Sequence, residues 1–195
     1  MTSLSEWAER TDFPARHVLR VLNEGGSCLW PSPGVVTALR EVGSVHQMGA
    51  LLGPWGVGKT ELVTQLAWEW SRDRRGSARY CTFAGMTEAL KDSFDREKSD
   101  DETTKAIMGR YKRSGLLVID EIHIRNNSGW ESNLLTSLID YRYANNKATI
   151  LIANLNRTQL EYLLGPPAWS RFCETGVLIE VPWPSFRPAT PATPR

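Results

Sequence analysis

The chain has 195 residues, 41% of them hydrophobic, which suffices for one domain with a substantial core and is too little for two full domains. Its 23 basic residues nearly balance 22 acidic ones, so no overall field draws it to nucleic acid or membrane, and any DNA contact has to be local. Cys28, Cys81 and Cys173 lie far apart, without the paired spacing of a zinc site and in an odd number that argues against a disulfide framework. No run reaches the roughly 18 apolar residues of a membrane span and Met1 to Arg10 lacks a signal-peptide pattern, so the expectation is a soluble, cytoplasmic protein.

Residues 1 to 46 alternate short helical patterns with breaks at Pro14, Gly25-Gly26 and Pro31-Ser32-Pro33-Gly34, a segment of helices joined by turns that includes Val35 to Val42. The apolar run Met48 to Leu52 stops at Gly53, and Thr60 to Arg72 then sets Leu62, Val63, Leu66, Ala67 and Trp70 at helical spacing. A second strand is predicted at Arg79 to Phe83 and a helix from about Met86 to Phe94. The charged stretch Asp95 to Thr104 reads as an exposed connection or helix end. Leu116 to Ile119 is a continuous apolar run closing on Asp120, the pattern of a central parallel strand buried on both faces.

A helix from Gly129 to about Ala144 follows, then a strand from Thr149 to Ala153 ending at Asn154. A helix from Arg157 to Leu164 is broken by Gly165-Pro166-Pro167, and Val177 to Val181 is the last strand. The proline-rich residues 188–195 are expected to be disordered. The alternation predicts an α/β fold with a mainly parallel sheet of five strands, divided into a helical segment over 1–46, a core over 47–187 and a tail.

Gly53-Pro54-Trp55-Gly56-Val57-Gly58-Lys59-Thr60 satisfies the phosphate-loop pattern G-x-x-x-x-G-K-[ST], with the strand before it and the helix after it that the pattern requires. Glycines let backbone N–H groups turn inward around phosphate oxygens, and the helix N-terminus adds donors and partial positive charge. Lys59 is expected to reach the β and γ phosphates of ATP, and the Thr60 hydroxyl to ligate Mg²⁺. About sixty residues on, Asp120-Glu121 ends a buried strand. Joined to the phosphate loop, Asp120 is the magnesium-side acid and Glu121 the base that polarises the attacking water. Asn154, at the end of the next strand, is placed to orient that water or sense the γ-phosphate.

Local chemistry does not assign Arg171 or Arg187. Surface charge is the ordinary reading, and the alternative is a guanidinium on a phosphate, of a neighbouring subunit for Arg171 and of its own subunit for Arg187. Arg110-Tyr111-Lys112-Arg113 joins basic groups to an aromatic ring able to stack on a base, and Arg72, Arg74 and Arg75 form a second cluster. Solvated helix ends with Tyr111 packed on the core is the competing reading. His46 and His123 have no metal-like partners and are read as structural or surface residues.

Taken in order, these residues resemble the AAA+ ATPases of the DnaC/DnaI helicase-loader group and their relative, the IstB transposition ATPase. The resemblance runs from about Asp12 to Arg187. It rests on Phe13-Pro14-Ala15-Arg16, Gly53 to Thr60 with Glu61-Leu62, Leu116 to Ile122, Asp140-Tyr141-Arg142-Tyr143, Thr149 to Leu155, Ser170-Arg171-Phe172 and Ser185-Phe186-Arg187. It implies a P-loop αβα sandwich with little or no helical lid, a Walker B pair at Asp120-Glu121 and sensor 1 at Asn154. It further implies an arginine finger at Arg171 acting in trans, sensor 2 at Arg187, and ATP hydrolysed with Mg²⁺ between copies in a ring or helical filament. The implied partners are single-stranded DNA and a replicative DNA helicase. Loaders commonly carry a separate helicase-gripping N-terminal domain, whereas about 46 residues precede the core here. The expected function is loading or remodelling of a replicative helicase. The alternatives are an IstB-like ATPase polymerising on duplex DNA, and a nucleotide-switched adaptor without meaningful turnover.

Overall fold

The computed structural model describes residues 4–23, 30–73, 76–95, 104–124 and 129–187. Gly25-Gly26, Cys28, Arg74, Arg75, most of the charged connection and the tail lie outside them. Five strands, β1 (Met48–Leu52), β2 (Ala78–Thr82), β3 (Leu116–Asp120), β4 (Ala148–Ala153) and β5 (Gly176–Glu180), form one parallel sheet in the order β2-β3-β4-β1-β5. Because every strand runs the same way, the residues that follow β1, β3 and β4 emerge along a single edge. β4 lies between β1 and β3, so Asn154 falls between the phosphate loop and Asp120.

β1, β3 and β4 are buried at every position, which is why they read as unbroken apolar runs. Side chains alternate between the two faces. Leu51, Val118, Ile150 and Ile152 join a core with Leu62, Val63 and Leu66, while Met48, Leu52, Ile119 and Leu151 join one with Phe83, Leu135 and Leu138. The first face is covered by α1 (Leu4–Thr11), α2 (Ala15–Asn23), α3 (Pro33–Arg40) and α4 (Lys59–Arg72). The second is covered by α5 (Phe83–Asp95), α6 (Thr104–Arg113), α7 (Gly129–Ala144) and α8 (Arg157–Thr175). The predicted three-layer αβα sandwich is therefore the fold. The N-terminal helices belong to the same core, since Trp7, Phe13, Val18 and Leu39 are buried in it and Trp7 stacks on Phe13 at 5.0 Å. No helix follows β5 among the described residues, and none of the described helices is long and apolar enough to cross a membrane.

Three elements differ from the sequence expectation. Phe83 starts α5 instead of ending β2. The break at Gly165 is a kink: φ 69° and ψ 167° interrupt the helix, which resumes with Pro166 and Pro167 in its first turn, where a missing N–H costs nothing, and runs on to Thr175. Helix α6 was hidden by its own composition, because Lys105, Arg110, Lys112 and Arg113 leave only Ile107 and Gly109 buried. At the opposite edge from the phosphate loop, Arg142 of α7 is 1% exposed. It donates to Thr149 Oγ1 (2.8 Å), to the carbonyls of Tyr111 (2.7 Å) and Ser114 (3.0 Å), and to that of Ala148, tying together the turns that enter β3 and β4. Burial pulls its pKa down to about 9, so the guanidinium is still charged at neutral pH.

Candidate nucleotide site

The phosphate loop leaves β1 at Gly53 and enters α4 at Lys59. Gly58 is the N-cap of α4, with φ 82° and ψ 18°, and no side chain caps the helix, so its first N–H groups are left for an anion. A side chain at Gly58 would be strained at that φ and would also press on the Trp30 ring, 2.9 Å from an added Cβ. Val57 is buried and its carbonyl accepts from Trp183 Nε1 at 2.9 Å, which anchors the loop from beneath. Pro54 and Trp55 are exposed, Trp55 by 68%.

Lys59 is 8% exposed and its ammonium uses all three protons, on the carbonyls of Gly53 (2.8 Å) and Pro54 (2.7 Å) and on Asn154 Oδ1 (2.5 Å). Burial, with the nearby Arg187 charge, lowers its pKa to about 8 against the opposing pull of Asp120. Asn154 is held in turn by His123, whose Nε2 lies 3.2 Å from Asn154 Nδ2. Burial lowers the pKa of this imidazole. From sequence alone His123 reads as a structural or surface residue.

Asp120, 4% exposed at the end of β3, has both oxygens engaged. Oδ2 accepts from Thr60 Oγ1 (2.7 Å) and from Tyr80 OH (3.0 Å), and Oδ1 accepts from the Glu121 N–H (2.7 Å). Tyr80 escaped sequence reasoning because nothing local marks it; only the pairing of β2 with β3 puts its hydroxyl on Asp120. Burial and the Asp120 carboxylate push its pKa far up, so the phenol remains a donor. Glu121 is exposed at the sheet edge with φ 54°, a left-handed conformation that non-glycine residues rarely adopt and that is concentrated at functional sites.

The donor set suits a hard cation. Mg²⁺ takes oxygen ligands and is held by one or two protein groups together with phosphates and water, and the Thr60 hydroxyl and Asp120 carboxylate supply such a pair. Among the described residues no cluster of three or more His, Cys, Asp or Glu offers a dedicated metal cage.

The other predicted residues are placed as follows. Glu61 is buried and turns to α2, pairing with Arg20 Nε at 2.9 Å, which fastens α2 to the start of α4. Arg187 lies over the loop: its Cγ and Cδ would be 3.0 and 3.1 Å from a Cβ at Gly56, and the neighbouring Phe186 N–H donates to the Gly56 carbonyl at 2.9 Å. Arg171 stands apart, near the foot of α8, with Nη1 on the Pro167 carbonyl (2.9 Å) and 3.1 Å from Asp140 Oδ1. Soon after it β5 begins, at Gly176 opposite Met48, whereas the phosphate loop follows Leu52. A strand of this length, about 13 Å, separates the two levels. Arg110, Tyr111, Lys112 and Arg113 do not share one face. Tyr111 packs on the second core, and burial raises its pKa to about 12, while Lys112 lies 4.9 Å over the Tyr141 ring.

A parallel sheet in this order, with a phosphate loop after β1, an acid pair ending β3 and an amide after β4, defines a P-loop protein of the AAA+ type. The family model for "IstB-like ATP binding protein" matches residues 36–171, and the chain belongs to that family. It is 26% identical over 136 residues to the replicative helicase loader DnaC of Escherichia coli K12, covering 69% of this chain and 54% of that protein. To the uncharacterized protein YdaV of the same strain it is 27% identical over 140 residues, covering 71% of this chain and 54% of that one. The chain thus spans about half the length of the curated relatives it matches. The crystal structure of the DnaC helicase loader superposes with a TM-score of 0.60 at 23% identity, over 86% of this chain and 89% of that one. Domain III of the Thermotoga maritima replication initiation protein DnaA gives 0.64 at 17%, over 80% and 65%. At such identities the superpositions establish the fold.

Proposed function

We propose that the chain is a replication-associated ATPase that loads or remodels a replicative DNA helicase, with ATP hydrolysed between adjacent copies in a ring or helical filament on single-stranded DNA in the bacterial cytoplasm. The observation that carries the nucleotide chemistry is the 2.7 Å contact of Thr60 Oγ1, in the first turn of α4, with Asp120 Oδ2 at the end of β3, which supports the two as a pair for one Mg²⁺. The bound nucleotide with its metal supplies the activated phosphoanhydride. Residues 47–187 carry the nucleotide chemistry, and α1, α2 and α3 pack into the same core. The α4 N-terminus and Lys59 hold the phosphates, releasing the Gly53, Pro54 and Asn154 contacts that Lys59 makes without them. Glu121 takes a proton from the attacking water, Asn154 orients that water, and Arg187 neutralises charge from the same copy. Arg171, whose helix leads into β5 at the end of the sheet opposite its own phosphate loop, serves the neighbour's.

The test is release of phosphate from Mg²⁺-ATP, with and without DNA, together with recovery of partners from host lysate by the Glu121→Gln protein in ATP. Recovery of a hexameric helicase supports the loader. Recovery of a transposase, with preference for duplex DNA, supports the second reading, an IstB-like transposition ATPase, which the family match favours. Absence of turnover under every condition leaves the nucleotide-switched adaptor.

Tyr80 acts here as a positioning residue for Asp120. Tyr80→Phe keeps the ring and its 5.3 Å contact with Phe13 while removing the hydroxyl from Asp120 Oδ2. A hydrogen bond to a charged group contributes about 1.5–3 kcal/mol, so the Mg²⁺ concentration giving half-maximal turnover should rise about tenfold or more, with kcat less affected. An unchanged Mg²⁺ dependence would assign Tyr80 to packing alone.

A further inference from the structure

A cavity of about 810 Å³ opens at the edge of the sheet opposite the nucleotide site, where β2 and β3 begin. Four arginines line it from three elements: Arg10 of α1, Arg79 of β2, and Arg110 and Arg113 of α6. Against them stand two carboxylates, Glu9 and Asp12, and Asp12 is ion-paired with Arg79. In a chain whose overall charge is +1, this is a local concentration of positive charge. Small polar groups complete much of the wall: Ser71, whose hydroxyl accepts from Trp7 Nε1 at 2.8 Å, with Ser77, Ser114 and Gly76, beside Trp7, Thr11 and Ala78.

Ser71, near the end of α4, borders the cavity that receives Arg110 and Arg113. Spacing of three residues on α6 puts Arg110 and Arg113 on one side, while Tyr111 turns to the core and Lys112 to Tyr141. The backbone that presents them is fixed from behind, because Arg142 binds the carbonyls of Tyr111 and Ser114. Arg10, Arg110 and Arg113 are exposed.

We infer that this cavity is a docking site for the phosphodiester chain of a nucleic acid, separate from the nucleotide pocket. Guanidinium groups spread over three elements, with serine hydroxyls and a glycine backbone between them, match a row of phosphates better than a single anion. No stacking platform is present, because Trp7 is 5% exposed and packed on Phe13 and Trp68. Recognition is therefore of backbone charge and does not depend on base sequence. The inference rests on the loader reading only for which nucleic acid is bound.

The experiment is fluorescence anisotropy of a labelled single-stranded oligonucleotide, and of a duplex of equal length, titrated with the full chain in Mg²⁺-ATP over a range of salt. The variant is Arg10→Ala/Arg110→Ala/Arg113→Ala. Arg79 is left intact because its ion pair with Asp12 joins α1 to β2. Three lost phosphate contacts should lower the slope of log K against log salt by roughly 2 on a single strand and by nearly 3 on a duplex. Thermal stability and binding of a fluorescent ATP analogue should be unchanged, and the triple Arg→Lys variant should keep most of the slope. The inference is overturned if the alanine variant binds like the parent, or if the parent binds neither oligonucleotide. Failure of the parent chain to bind the ATP analogue, with the slope effect intact, would instead sink the nucleotide reading and leave this inference standing.

Discussion

A mixture of Glu121→Gln and Arg171→Ala proteins should hydrolyse ATP although neither protein does so alone. Removing Glu121, the proposed general base, should slow turnover by about 10²–10⁴. Removing a guanidinium that stabilises transition-state charge should cost about 10³–10⁵. The two losses differ in kind, because the groups stand on different faces of one copy. Glu121 is at the edge where β3 ends, and Arg171 is near the foot of α8, beside the start of β5. In the proposed head-to-tail assembly each site would take Glu121 from one copy and Arg171 from the next. A Glu121→Gln copy still offers Arg171, and an Arg171→Ala copy still offers Glu121. In an equimolar mixture roughly one interface in four combines both intact groups, so roughly a quarter of the parent activity should return. The check is phosphate release as a function of mixing ratio, with each single variant shown to bind ATP normally. A mixture as inactive as its components would remove Arg171 from the site.

What the sequence reveals of this site follows from how its parts are encoded. The phosphate loop is legible because its geometry is contiguous: eight residues, a strand before and a helix after set the backbone of Lys59 and Thr60, although their side chains also bond Asn154 and Asp120. Asp120 and Asn154 are legible at one remove, since each ends an unbroken apolar run and a parallel sheet brings such ends to one edge. Tyr80 and His123 are not legible. Each acts through a partner distant in sequence, Asp120 forty residues from Tyr80 and Asn154 thirty-one from His123, and each alone looks like an ordinary strand or turn residue. Helix α6 was missed for a related reason. A helix that buries little shows weak periodicity, and four basic side chains mask the one turn that packs. Gly165-Pro166-Pro167 misled in the opposite sense, because the glycine breaks the helix and the prolines begin the next segment of it.

Arg142→Ala should be among the most destabilising substitutions available, although Arg142 touches no residue of the nucleotide site. A buried guanidinium is costly, and its lowered pKa records that cost: the native state holds the proton less tightly than the unfolded chain. Against it stand charge-assisted bonds to Thr149 Oγ1 and to the carbonyls of Tyr111, Ser114 and Ala148, each worth about 1.5–3 kcal/mol. Alanine relieves the desolvation but leaves those carbonyls in a buried setting without the donor that satisfied them, and it opens a cavity beside Thr149, itself 1% exposed. The second effect wins, and a net loss of about 3 kcal/mol is expected. For a chain of this size that corresponds to a fall in Tm of roughly 6–12 °C. Arg142→Lys should recover only part of it, because one ammonium cannot reach acceptors that the planar fork meets on several sides. Urea unfolding measures the difference, and a loss under 1 kcal/mol for the alanine variant would contradict the clamp. Since the same carbonyls fix the backbone bearing Arg110 and Arg113, the variant should also weaken oligonucleotide binding at temperatures where it is still folded, while ATP binding at the far edge of the sheet persists.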